Sequence, residues 1–167
     1  MLKPWKNRPT EEANLFNPAF IGSLMYEFVK EYKKHKNQPT PMEYLPLFLT
    51  IVLHSTTRKN LPHSTITSLY EWLQRHEERK IGFYERAVGL LPYAKEALRF
   101  GLSMSSLSIG RGHGIELGTV KAHFPEAFQK NTSKETKKII ERTKFLARWF
   151  AKSGSEASIV GAWGIKP

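Results

Sequence analysis

The 167-residue chain is 40% hydrophobic and carries 26 Lys and Arg against 15 acidic residues, a net charge of +11 with no cysteine. The missing cysteine excludes disulfides, thiolate zinc sites and cysteine nucleophiles; all of the acidic residues are Glu, and the missing Asp excludes a Ser-His-Asp triad and disfavours Mg²⁺-dependent phosphoryl transfer, whose metal sites commonly use that short side chain. The length suits one domain over 1–167 with one core. The lack of a long apolar run or leader predicts a cytoplasmic protein with no membrane partner, and the charge suits nucleic acid, an acidic protein surface or anionic lipid.

Pro9 followed by Thr10-Glu11-Glu12 reads as a short helix start, with the acidic pair at the positive end of the dipole. Asn17-Pro18 restarts a helix in cap-then-proline order. Phe20, Leu24, Phe28 and Tyr32 recur every four residues opposite Lys30, Lys33 and Lys34, which predicts an amphipathic helix of about 17 residues. After the break Asn37-Gln-Pro-Thr-Pro41, Met42 to Leu53 is apolar nearly all round and reads as a buried helix with Pro46 near its first turn. The stretch LHSTTRKNLPHST then forms a corner. Its hydroxyls suit freed backbone groups, Pro62 halts the chain, and Thr65 or Thr67 caps a helix through Arg75. Arg58, Lys59 and His63 are left to face outward there.

A longer helical segment spans about Lys80 to Ser103, bent or split by Pro92, and completes a helical part over 8–105. SLSIGRGHGIELG, residues 106–118, places two alternating stretches around a Gly-rich turn and predicts a β-hairpin wing. Two further helices occupy 130–163, the last in a tail with a Gly-Ile-Lys-Pro end. Helices, wing and helices in this order give a mainly α, winged-helix-like domain.

Gly110-Arg-Gly-His-Gly114 matches neither common phosphate-binding fingerprint, so it reads as a hairpin turn that carries Arg111 and His113 at its tip. None of the six histidines forms HExxH, and neither a metal nor a cofactor is expected. Between Lys130 and Lys152, a helix at about 100° per residue aligns Lys130, Lys134, Lys137, Lys144, Arg148 and Lys152 on one stripe. Only Glu141 interrupts that stripe, while Ile139, Leu146 and Phe150 lie opposite. Three environments suit the basic side: bulk solvent, a phosphate backbone and an acidic partner.

Four blocks then resemble one family: RPTEEANLFNPAFIGSLMYEFVKEY, YLPLFLTIVLHSTTRKNLP, WLQRHEERKIGFYERAVGLLPYAKEALRFGL and FLARWFAKSGSEASIVGAWGIKP. In order, over residues 8 to 167, they are similar to the middle component of bacterial three-component ABC ATPase systems. The resemblance implies a small, winged-helix-like, non-catalytic subunit that works with an SMC- or Rad50-like ABC ATPase and a separate effector, often a nuclease. Lamassu-type defence against phage and plasmids is the best-known setting. The family has no established catalytic residues to carry over.

The expected role is an adaptor between ATPase and effector, with non-specific DNA contact. Arg58, Lys59, Arg111, His113, Lys130, Lys134, Lys137, Lys144, Arg148 and Lys152 are the candidate DNA contacts. Phe20, Leu24, Phe28, Trp149 and Trp163 are the candidate protein contacts. The alternative is a free-standing winged-helix transcription regulator, which predicts sequence-specific binding and a dimer.

Overall fold

Helix α1 (Thr10–Leu15) follows Pro9 directly, and its first turn holds Glu11 and Glu12. This computed structural model describes residues 1–165; the Lys166-Pro167 end of the expected tail lies outside them. The Asn17 side chain accepts the Ala19 N–H at 2.9 Å and Pro18 takes the first helical position, which opens α2 (Pro18–Lys36). A left-handed Asn37 closes it. Asn tolerates that conformation better than most residues.

Four helices build the core. α2 and α3 (Tyr44–Leu53) each pack against both α6 (Phe83–Ser103) and α8 (Lys134–Lys152). The short α4 (Ser55–Asn60), α5 (Leu69–Arg75), α7 (Glu126–Asn131) and α9 (Glu156–Ala162) complete the helical part. Most of α2 is therefore enclosed, with exposure at Ala19 in its first turn and along its lysine-rich end. Phe28 of α2 stacks on Phe48 of α3 with centroids 4.3 Å apart and meets Phe150 of α8 edge-on at 5.9 Å. Leu24 and Phe28 are completely buried, so they hold helices together and present nothing to a partner. Helical periodicity marks an apolar face equally well whether that face meets its own chain or another one.

The mainly α architecture with one hairpin is as expected. β1 (Leu107–Ile109) pairs antiparallel with β2 (Ile115–Leu117), Ile109 opposite Ile115. The hairpin lies against α2 and α6, and Thr40 exchanges backbone hydrogen bonds with Ile115 at 2.7 and 2.9 Å. A Cβ on Gly114 would come within 2.6 Å of the Pro39 side chain, so glycine permits this close approach.

Several boundaries differ from expectation. LHSTTRKNLPHST contains α4 rather than an open loop, because the His54 ring accepts the Thr57 N–H and caps a new turn. Ser68, not Thr65 or Thr67, precedes α5. Pro92 leaves α6 continuous. It is exposed, on the side where a helix can open its hydrogen bonds toward water. Ser133 caps α8 by accepting the Thr136 N–H at 3.1 Å, so Lys130 belongs to α7 and not to the long basic helix.

Candidate nucleic-acid interface

The corner between α3 and α4 decides which cations face inward. Burial, then the positive charges of Arg86, Arg79 and Arg58, hold the His54 ring below its usual pKa, and a neutral ring can accept from both the Thr57 N–H and its hydroxyl. One turn later Arg58 points inward and Lys59 outward. Arg58 is 3% exposed. It donates to the Val52 carbonyl at 2.6 Å and to the Glu135 carboxylate in the first turn of α8. Arg142 fastens the same two segments, donating to the Pro62 carbonyl at 2.9 Å with its guanidinium 5.0 Å from the Phe145 ring.

Between these clamps lies a cleft of about 410 Å³, lined by Arg58, Lys59, His63, Lys134, Glu135, Lys138, Glu141 and Arg142. Five Lys and Arg thus face two Glu, and Glu135 is already held by Arg58 while Glu141 lies 3.1 Å from Lys138. Lys59, His63, Lys134 and Lys138 are exposed. Positive charge on a concave surface concentrates anions, and flexible ammonium groups suit the varied geometry of a phosphate backbone. Arg58 has a different task from the one expected of it. It is a buried brace whose donors point to its own chain.

Lys138 and Arg142, which the six-residue stripe leaves out, continue from Lys134 as an i, i+4, i+8 row along the cleft. That spacing was visible in the sequence. Only the docking of α4 against α8 turned this row, rather than its neighbour, into the wall of a cleft.

The stripe itself divides. Lys134 and Lys137 are exposed, whereas Lys144 lies 3.7 Å from Glu27 and Arg148 donates to Glu31 at 3.0 Å. These two pairs repeat at one-turn spacing on α2 and α8, so they lace the helices together. Burial alone would raise the Glu31 pKa, but hydrogen bonds from Arg148 and His35 outweigh it and hold the carboxyl below its usual range. Lys152 donates to the Thr65 hydroxyl at 3.2 Å and Lys137 to the Lys130 carbonyl at 3.1 Å, while Lys130 pairs with Glu126 at 2.9 Å.

Arg111 and His113 are exposed at the hairpin tip. They do not line the cleft, which brings together Arg58, Lys59 and Lys134 of the expected DNA contacts. Among the expected protein contacts, Trp149 donates to the Thr67 carbonyl at 2.7 Å and Trp163 stacks on Phe83 at 4.8 Å. Both are buried. Phe20 is half-buried, tilted against Phe124 at 5.6 Å.

Residues 5–167 match the family model described as ABC-three component (ABC-3C) system Middle Component 3. The chain belongs to this family. The match takes in the same stretch as the four sequence blocks and extends from α1 through α9. No curated protein and no solved structure gives a match. As a middle component, the protein has the other parts of an ABC three-component system as its partners. Among the described residues, no helix of this middle component is long and apolar enough to cross a membrane.

Proposed function

We propose that this middle component is a cytoplasmic, non-catalytic adaptor that links an SMC- or Rad50-like ABC ATPase to an effector such as a nuclease, in Lamassu-type defence. It touches DNA without regard to sequence. The observation that carries the reading is membership of a middle-component family over almost the whole chain. The basic cleft supports the DNA contact: Lys59, His63, Lys134 and Lys138 reach the phosphates while Arg58 and Arg142 hold the walls. Lys137 beside the cleft, and Arg111 and His113 at the hairpin tip, extend the surface. Lys130, Lys144, Arg148 and Lys152 take part only as far as their contacts within the chain release them.

An adaptor of this kind acts by contacting the resting and DNA-engaged assemblies differently, so that DNA binding shifts the balance between them. Co-expression with the ABC ATPase and effector encoded by neighbouring genes tests the core of the proposal. Recovery of a complex of all three supports it, and a chain that associates with neither overturns it. For DNA, the logarithm of affinity for a mixed-sequence duplex falls linearly with log salt, by about 0.9 per phosphate contact. The triple variant Lys59→Ala, Lys134→Ala, Lys138→Ala lowers that slope by about 2 to 3. Affinity that is flat between low and high salt removes the DNA contact.

A further inference from the structure

With Leu24, Phe28, Trp149 and Trp163 committed to the core, the exposed apolar surface lies elsewhere. Ile81, Tyr84, Val88 and Leu91 are 76%, 59%, 51% and 36% exposed. Tyr84, Val88 and Leu91, spaced by four and three residues, draw one stripe about 10 Å long on the outer side of α6, and Ile81 precedes it in the turn at Gly82. The stripe runs into a groove of about 550 Å³ between α6 and the N-terminal residues, where Met1, Leu2 and Trp5 face Val88, Leu91 and Pro92.

This groove is held open by the chain's own contacts. Arg8, buried although it is charged, donates to both carboxylate oxygens of Glu96 at 2.8 and 2.6 Å and to the Lys3 carbonyl at 2.8 Å. The Tyr93 hydroxyl donates to Glu12 at 2.7 Å, which fastens α1 to the same helix. Glu96 is the single acidic residue lining the groove, and Arg8 occupies it. Lys3, Lys95 and Arg99 line the groove as well, and among the described residues they enter no ion pair.

Resting on the adaptor reading above, we infer that the outer face of α6 and the adjoining groove dock an acidic amphipathic helix from another subunit of the same system. The three-four spacing is the seam one helix offers another, with side chains of the incoming helix seated between Tyr84, Val88 and Leu91. Lys3, Lys95 and Arg99 select carboxylates beside that seam, and such charges set partner choice and encounter rate more than affinity. A second copy of this chain is a poor occupant. A two-fold dimer would bring the same unpaired cations toward each other.

The test is co-expression of the full chain with the neighbouring ABC ATPase and effector, followed by capture. Val88→Glu with Leu91→Glu, both at exposed positions, lowers capture of one subunit at least tenfold while the circular dichroism spectrum is kept. Lys95→Glu with Arg99→Glu does the same, and capture by the wild type weakens as salt is raised. A wild-type complex that both variants form undiminished overturns the docking face and leaves the adaptor reading standing. A wild type that captures neither subunit overturns both. Loss of self-association in the isolated Val88→Glu, Leu91→Glu chain, or loss of its binding to vesicles containing phosphatidylserine, assigns the face to another occupant and also overturns the inference.

Discussion

Arg58 reaches from α4 to Glu135 in the first turn of α8 while another of its nitrogens holds the Val52 carbonyl. One buried guanidinium thus joins the end of α3, the whole of α4 and the start of α8. Arg58→Ala strands a buried carbonyl and frees the cleft wall, and is expected to lower stability by about 2 kcal/mol. Lys59→Ala, one residue away and exposed, stays within about 0.5 kcal/mol of wild type yet weakens DNA binding. Urea midpoints and duplex titrations on the two variants separate brace from contact. Equal midpoints contradict the assignment of Arg58.

The Glu31–Arg148 and Glu27–Lys144 pairs tie α2 to α8 on one side of the core. Because the folded-state pKa of Glu31 is lowered, its contribution is complete above the unfolded value of about 4.3 and is lost as pH falls through the lower folded value. Glu31→Gln is expected to cost about 1 kcal/mol near neutral pH and to flatten part of the acid limb of stability. Urea unfolding at about pH 7 and about pH 3 measures both effects. A variant with the full wild-type acid dependence rules out this role.

His54 gives a second pH dependence, in a higher window. Its folded pKa is lowered, so the neutral ring's contribution is present above the unfolded value of about 6.5 and fades as pH falls through the folded value. A protonated Nδ1 is unable to accept from Thr57. His54→Ala is expected to cost about 1 kcal/mol, and His54→Asn, which keeps a capping acceptor, costs less and removes the dependence. Melting temperatures taken between about pH 8 and pH 5 decide this. A stable, fully assembled but inactive His54→Ala protein would point to chemistry at this corner instead.

Phe28 distinguishes a core residue from a docking residue. Phe28→Ala removes a ring stacked on Phe48 and edge-on to Phe150, at a cost of about 3 to 5 kcal/mol. Trp149→Phe loses the hydrogen bond to the Thr67 carbonyl and costs about 1 kcal/mol. Calorimetry on the isolated chain shows both losses with no partner present. Unchanged melting with lost partner capture would return these residues to an interface.

The sequence by itself determined the elements with strong local causes. Asn17-Pro18 opens α2 through a side-chain cap, the Gly-rich turn permits the hairpin, and the periodic basic segment ends at Lys152 where α8 ends, because capping and periodicity act within a few residues. The family was legible as well, since it rests on the order of whole blocks rather than on geometry. Tertiary structure alone decided which faces stay exposed. Phe28 and Val88 are both apolar residues on helices with a patterned face, yet the first is buried by α3 and α8 while the second meets solvent. Arg58 and Lys59 are adjacent cations whose roles separate only because Val52 and Glu135 converge on one of them. Burial is a property of what packs against a residue, and the partners that decide it lie far along the chain, 77 positions in the case of Arg58 and Glu135.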